Sequence, residues 1–136
     1  SAVRMVEKTG RKKIGVLGLS FKANTDDLRE SPTITMVETL IGRGYQICIF
    51  DDQVQLSQLI GSNKAFIEKE LPHIASLMCN TVEELVNASD VVVITHGGKA
   101  FSQVTELMNP DQVLIDLVGM GKKSPQLQAA YEGIGW

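Results

Sequence analysis

Lys22, Asp26, Asp27, Arg29 and Glu30 crowd into one short stretch between an apolar run, Ile14 to Leu19, and Ser31-Pro32. A lysine offers phosphate a point charge, and an arginine offers it a planar fork of donors. The carboxylates can brace a loop by accepting backbone N–H groups, or act as general acids and bases. The plain alternative is a solvated loop whose charges pair locally, which stabilises little. Composition leaves both readings open, and position adds to the first. Charges that follow the carboxyl end of a buried strand and precede a helix start stand where open α/β sheets bind ligands. The stretch points to a nucleotide-type ligand.

Other residues carry weaker signals. His96 follows the apolar run Asp90-Val-Val-Val-Ile-Thr95 and precedes Gly97-Gly98, on the same edge as Lys22. No Ser, Cys or Asp partner groups with it, so a loop histidine is the simpler reading. Lys99, Lys122 and Lys123 read as solvated, with Lys122 and Lys123 able to extend a basic rim. Gly15-x-x-Gly18 lacks the third glycine of a dinucleotide fingerprint, although the second strand ends in Asp51 as a ribose-binding strand would. Gly15 and Gly18 are therefore expected to serve packing and turning. Cys48 sits in an apolar run and reads as a small hydrophobe, and Cys79 closes another. Neither has zinc or C-x-x-C spacing, and a structural disulfide is not expected.

These residues need elements to position them. Ala2 to Lys8 has weak helical character. Ile14–Leu19, Tyr45–Phe50, Ile74–Cys79, Asp90–Thr95 and Val113–Leu117 read as strands. Ser31 caps a helix with Pro32 at its first position, carried on by Ile34, Val37, Leu40 and Ile41 and ended by Gly42 and Gly44. Val54 to Ile60 and Lys64 to Leu71 read as further helices. Thr81 and Glu84 fit a capping box for a helix with Val82, Leu85 and Val86 inside. Phe101 to Met108 gives another. Ser124-Pro125 starts a last helix, with Leu127 and Tyr131 inward. Strands alternating with helices predict an α/β fold, a three-layer Rossmann-like domain with a mainly parallel sheet and helices on both faces.

The 136 residues suffice for one domain with a real core. A net charge of −3 argues against a nucleic-acid partner, whose footprint is basic. No apolar run is long enough to cross a membrane. The charged N-terminal stretch does not read as a signal peptide, and cytoplasmic localisation is the expectation.

Gly18-Leu-Ser-Phe-Lys-Ala-Asn-Thr-Asp-Asp-Leu-Arg-Glu-Ser-Pro32 resembles the signature of the UDP-glucose/GDP-mannose dehydrogenase family. Gly44–Asp51, Gly61–Glu68 with Leu71-Pro-His73, and Glu132–Trp136 are similar to its GDP-mannose branch. The resemblance implies the family's C-terminal, nucleotide-sugar-binding domain over residues 11–136, with residues 1–10 as the tail of an interdomain linking helix. It implies an NAD-dependent, two-step oxidation of a sugar C6 alcohol to a carboxylate by the intact enzyme. NAD would be bound mainly by an N-terminal domain of the same chain, and the intact enzyme would be a homodimer or larger. By motif position, Phe21 and Lys22 would contact the nucleotide sugar, and Arg29 would reach the NAD. Asp27 and Glu30 would orient the two cations. Neither cysteine lies in the Gly-rich setting of the family's nucleophile, so no catalytic residue is expected here, and no metal. A UDP-sugar enzyme of the same family is the nearest alternative. A stand-alone, response-regulator-like binding module is weakly permitted by Asp51-Asp52 and Asp116.

Overall fold

The computed structural model describes residues 2–18, 32–51, 72–95, 99–117 and 130–133. In chain order these form α1 (Ala2–Thr9), β1 (Lys13–Leu17), α2 (Pro32–Gly42), β2 (Gln46–Phe50), α3 (Pro72–Ala75), α4 (Val82–Asn87), β3 (Val91–Ile94), α5 (Lys99–Leu107), β4 (Val113–Asp116) and β5 (Ala130–Gly133). The strands make one sheet of five in the order β2-β1-β3-β4-β5, and every pairing is parallel.

Parallel strands are buried on both faces, and this sheet shows why its strands read as continuous apolar runs. Alternate residues feed two cores. Ile14, Val16, Ile47, Ile49, Val91, Val93 and Ile115 face a cluster completed by Val6 of α1, Ile34, Val37 and Leu40 of α2, and Ile74 of α3. Leu17, Phe50, Val92, Ile94 and Leu114 face the other, with Val82, Leu85 and Val86 of α4 and Val104 of α5. The three-layer α/β arrangement expected from the sequence is the one observed.

The capping box is present in a shifted form. Glu84 N–H donates to Thr81 Oγ1 at 3.1 Å, while the Glu84 carboxylate accepts from Asn80 N–H at 2.8 Å. Two free donors at the start of α4 are thereby satisfied. Gly15 has a packing role. A Cβ there would lie 2.4 Å from Ser89 Oγ and 2.8 Å from Leu85 Cδ2, so only glycine lets α4 approach the centre of β1 this closely.

Two sequence expectations are corrected. Ile74–Cys79 is not a strand: Pro72 opens the short α3, a first-turn position that needs no N–H, and pairing shrinks to a single bridge between Ile49 and Met78. Tyr131 is not helical but belongs to β5, which pairs with β4 from Ala130 to Gly133. Alanine and glycine have little strand preference of their own, and the parallel ladder to β4 overrides it. The expected helices at Val54–Ile60, Lys64–Leu71 and Ser124-Pro125 with Leu127 lie outside the described residues.

Candidate functional site

The strand register builds one straight row across the carboxyl edge. Leu17 is level with Phe50 on one side and Ile94 on the other, Ile94 with Asp116, and Asp116 with Gly133. The row beyond is Asp51, Gly18, Thr95 and Leu117, tied by Gly18 N–H to Phe50 O at 2.7 Å, Thr95 N–H to Leu17 O at 3.1 Å and Leu117 N–H to Ile94 O at 2.9 Å. The chain therefore leaves the sheet for the segments 19–31, 52–71, 96–98 and 118–129 from a single edge.

The strand order reverses between β1 and β3, because β1 leads outward to β2 while β3 lies on its other side. Such a switch point is the usual ligand crevice of open α/β sheets. Thr95 holds it together. Its hydroxyl lies 2.6 Å from Gly18 O and 3.0 Å from Leu17 O and shares its one hydrogen between them, beside its own N–H bond to Leu17 O. Gly18 sits at φ +92°, a left-handed conformation that turns β1 out of the sheet where the charged stretch begins. The sequence reading assigned Gly18 a turn and missed Thr95, whose only signal was a hydroxyl at the end of a β-branched run.

Two acids stand at the carboxyl ends of strands on opposite sides of the switch point. Asp51 after β2 is 5% exposed and Asp116 at the end of β4 is fully buried, and each is engaged in an interaction. Burial of both weakens the support they lend to a receiver-like module, and Asp52 lies outside the described residues. The described residues do not build a dinucleotide site. Gly15 is filled against α4, and Asp51 is buried where a ribose partner would have to be open. Phe21, Lys22, Asp26, Asp27, Arg29, Glu30, Asp52, His96, Lys122 and Lys123 lie outside the described residues, as does the side chain of Lys99. Among the described residues, no cluster of three or more His, Cys, Asp or Glu groups suits a metal, and no helix is long and apolar enough to cross a membrane.

Fold and edge together define a Rossmann-like α/β domain whose strand order reverses between β1 and β3. Residues 15–123 match the model of the UDP-glucose/GDP-mannose dehydrogenase family, UDP binding domain. The chain belongs to this family and corresponds to that domain of it. It is 42% identical over 135 residues to the GDP-mannose 6-dehydrogenase of Pseudomonas aeruginosa, covering 99% of this chain and 30% of that relative. It superposes on a solved ternary complex of GDP-mannose dehydrogenase from the same species with a TM-score of 0.81 and 41% identity, over 99% of this chain and 30% of that one. A UDP-glucose 6-dehydrogenase of Rickettsia bellii is 34% identical over 84 residues, 62% of this chain and 17% of the relative. The chain thus spans about a third of the length of the GDP-mannose 6-dehydrogenases it matches.

Proposed function

We propose that this chain is the nucleotide-sugar-binding domain of an NAD-dependent GDP-mannose 6-dehydrogenase. The intact enzyme would oxidise the C6 alcohol of GDP-mannose to GDP-mannuronate in two steps. The observation that carries the reading is the match to the family's UDP binding domain, over residues that include the whole charged stretch. The guanine branch is favoured because likeness to the GDP-mannose 6-dehydrogenases runs through 99% of the chain, against 62% for a UDP-glucose relative.

The chain's own part is binding and orientation. The turn at Gly18, clamped by Thr95, launches the segment that carries Phe21 and Lys22 toward the nucleotide sugar. Lys22 meets the pyrophosphate or the sugar carboxylate as a point charge. Arg29 extends its fork to the NAD, which a separate domain of the intact enzyme holds. Asp27 and Glu30 orient the two cations. A ligand with anionic phosphates on either side of one loop is best served by one cation for each. The catalytic cysteine lies elsewhere in the intact enzyme, and the assembly is a homodimer or larger working in the cytoplasm.

Calorimetric titration tests the reading directly. Binding of GDP-mannose with measurably more heat than UDP-glucose supports it. Preference for UDP-glucose moves the chain to the UDP-sugar branch, and negligible heats with both remove the substrate site from this domain.

A further inference from the structure

A second reactive feature lies on the sheet away from the switch point. Cys48 stands in β2, at one edge of the sheet, and Cys79 follows the single bridge between Met78 and Ile49. Ile49 N–H donates to Leu77 O at 2.9 Å and Cys79 N–H to Ile49 O at 2.8 Å, so this short segment runs alongside β2. Side chains alternate along such a ladder. Cys48 and Cys79 therefore share the face opposite Ile49, and both pack against the cluster that contains Leu17, Phe50 and Leu85. Neither is in a disulfide and both are half-buried, and hydrogen bonding between the two thiols shifts their pKa values in opposite directions.

The two sulfurs are not equivalent. Cys79 Sγ lies 3.3 Å from Ile49 O and 3.5 Å from Thr81 O. Both oxygens repel a thiolate, so Cys79 keeps its proton, and that one hydrogen is shared among these carbonyls and the Cys48 sulfur. Its hydrogen bond with Cys48, followed by burial, pushes its pKa well up. Cys48 receives the opposite effect. The hydrogen bond from Cys79 holds its pKa below the ordinary thiol value, against burial and the Glu84 carboxylate, which act the other way. A thiolate is the nucleophile in sulfur chemistry, and a neighbouring protonated thiol can resolve what it forms.

We propose that Cys48 and Cys79 form a modification site for hydroperoxides, with Cys48 the attacking group and Cys79 the resolving one. The Cys48 thiolate attacks one peroxide oxygen. A sulfur–oxygen bond forms, the oxygen–oxygen bond breaks, and the departing alkoxide or hydroxide takes a proton. The Cys79 thiol then loses its proton and attacks the Cys48 sulfur. A sulfur–sulfur bond forms, and the hydroxide leaves as water with that proton. Two thiols give up two electrons in all, and the peroxide is reduced to an alcohol, or to water, with a second water released. The residues are one diagonal step apart on their shared face, so closure draws the segment at Met78-Cys79 along β2. The bond would bracket the entire connection 52–71, which leaves from the carboxyl edge.

Peptide mapping of the full-length protein after hydrogen peroxide treatment tests this. Trypsin releases Cys48 in residues 44–64 and Cys79 in residues 70–99. A peptide joining the two, lost on dithiothreitol treatment, is the expected product. It should form roughly tenfold faster in the folded protein than in urea, because the fold holds both thiols together. Cys79→Ser should leave a sulfenic acid on Cys48 that dimedone traps, while Cys48→Ser should leave Cys79 alkylatable after the same treatment. No joined peptide in the folded wild type, or equal rates with and without urea, would overturn the proposal. Preferential oxidation of Cys79 in Cys48→Ser would overturn the assignment of roles.

Discussion

The two ends of the same parallel sheet are built differently. At the amino end, exposed cations meet a carboxylate, an aromatic ring and a backbone carbonyl. Arg43, just past α2, meets Glu7 of α1 at 2.6 Å with both side chains substantially exposed. Lys12 Nζ lies 4.2 Å from the centre of the Tyr45 ring, and Arg11 donates to Asp111 O. At the carboxyl end, the polar groups among the described residues are enclosed or half-buried. Asp51 and Asp116 are enclosed, and the Thr95 hydroxyl is spent on the Leu17 and Gly18 carbonyls. Exposed pairs stabilise weakly. Buried, backbone-bonded groups fix geometry instead, which is what a ligand edge requires. Exposed pairs at the amino end thus contribute little, while the described carboxyl edge is held in shape by bonds to the backbone.

Substitutions at the two ends should therefore separate binding from stability. The largest effect belongs to the charged stretch. In the intact enzyme, Lys22→Ala should weaken nucleotide-sugar affinity roughly ten- to a hundredfold, the loss expected for one charge-assisted contact. Arg29→Ala should instead raise the KM for NAD by a similar factor. Unchanged NAD kinetics would remove the cross-domain role of Arg29. Gly15→Ala comes next. It should cost about 1–3 kcal/mol of stability by overpacking, read as a lower thermal midpoint, since the new methyl meets Ser89 and Leu85.

Thr95→Val should cost about 1 kcal/mol and raise the KM for the nucleotide sugar a few fold, because the carbonyl of Gly18 loses its donor. Thr95→Ser should restore both. If Thr95→Val lowers the thermal midpoint but leaves that KM unchanged, the hydroxyl serves the fold alone. The smallest effect is expected at the amino end. Arg43→Ala should change stability by less than about 1 kcal/mol, with nucleotide-sugar affinity untouched.

The sequence disclosed the sheet because its strands carry their own signal. Val91 to Ile94 is β-branched throughout and is buried throughout. It disclosed the Thr81 and Glu84 cap because that motif is local. It failed where distant pairing decides. Tyr131 sits in a strand because β4 offers a ladder, whereas at Ile74 the deciding signal was local, since Pro72 opens the short helix that takes it in. The charged stretch from Lys22 to Glu30 lies outside the described residues, so its reading as a ligand loop remains a proposal carried by its residue types and place. Thr95 and the Cys48–Cys79 contact were not legible, since each depends on residues far apart in the chain meeting across strands.

The central claim is that nucleotide sugar binds at the carboxyl edge around the β1–β3 switch point. Amide chemical-shift mapping of this chain during titration with GDP-mannose tests it most directly. Saturable shifts at Gly18, Thr95 and Leu117, with Lys13, Gln46 and Asp90 unmoved, are the predicted result. Shifts confined to the amino end, or none at Gly18 and Thr95 at saturating ligand, would contradict it.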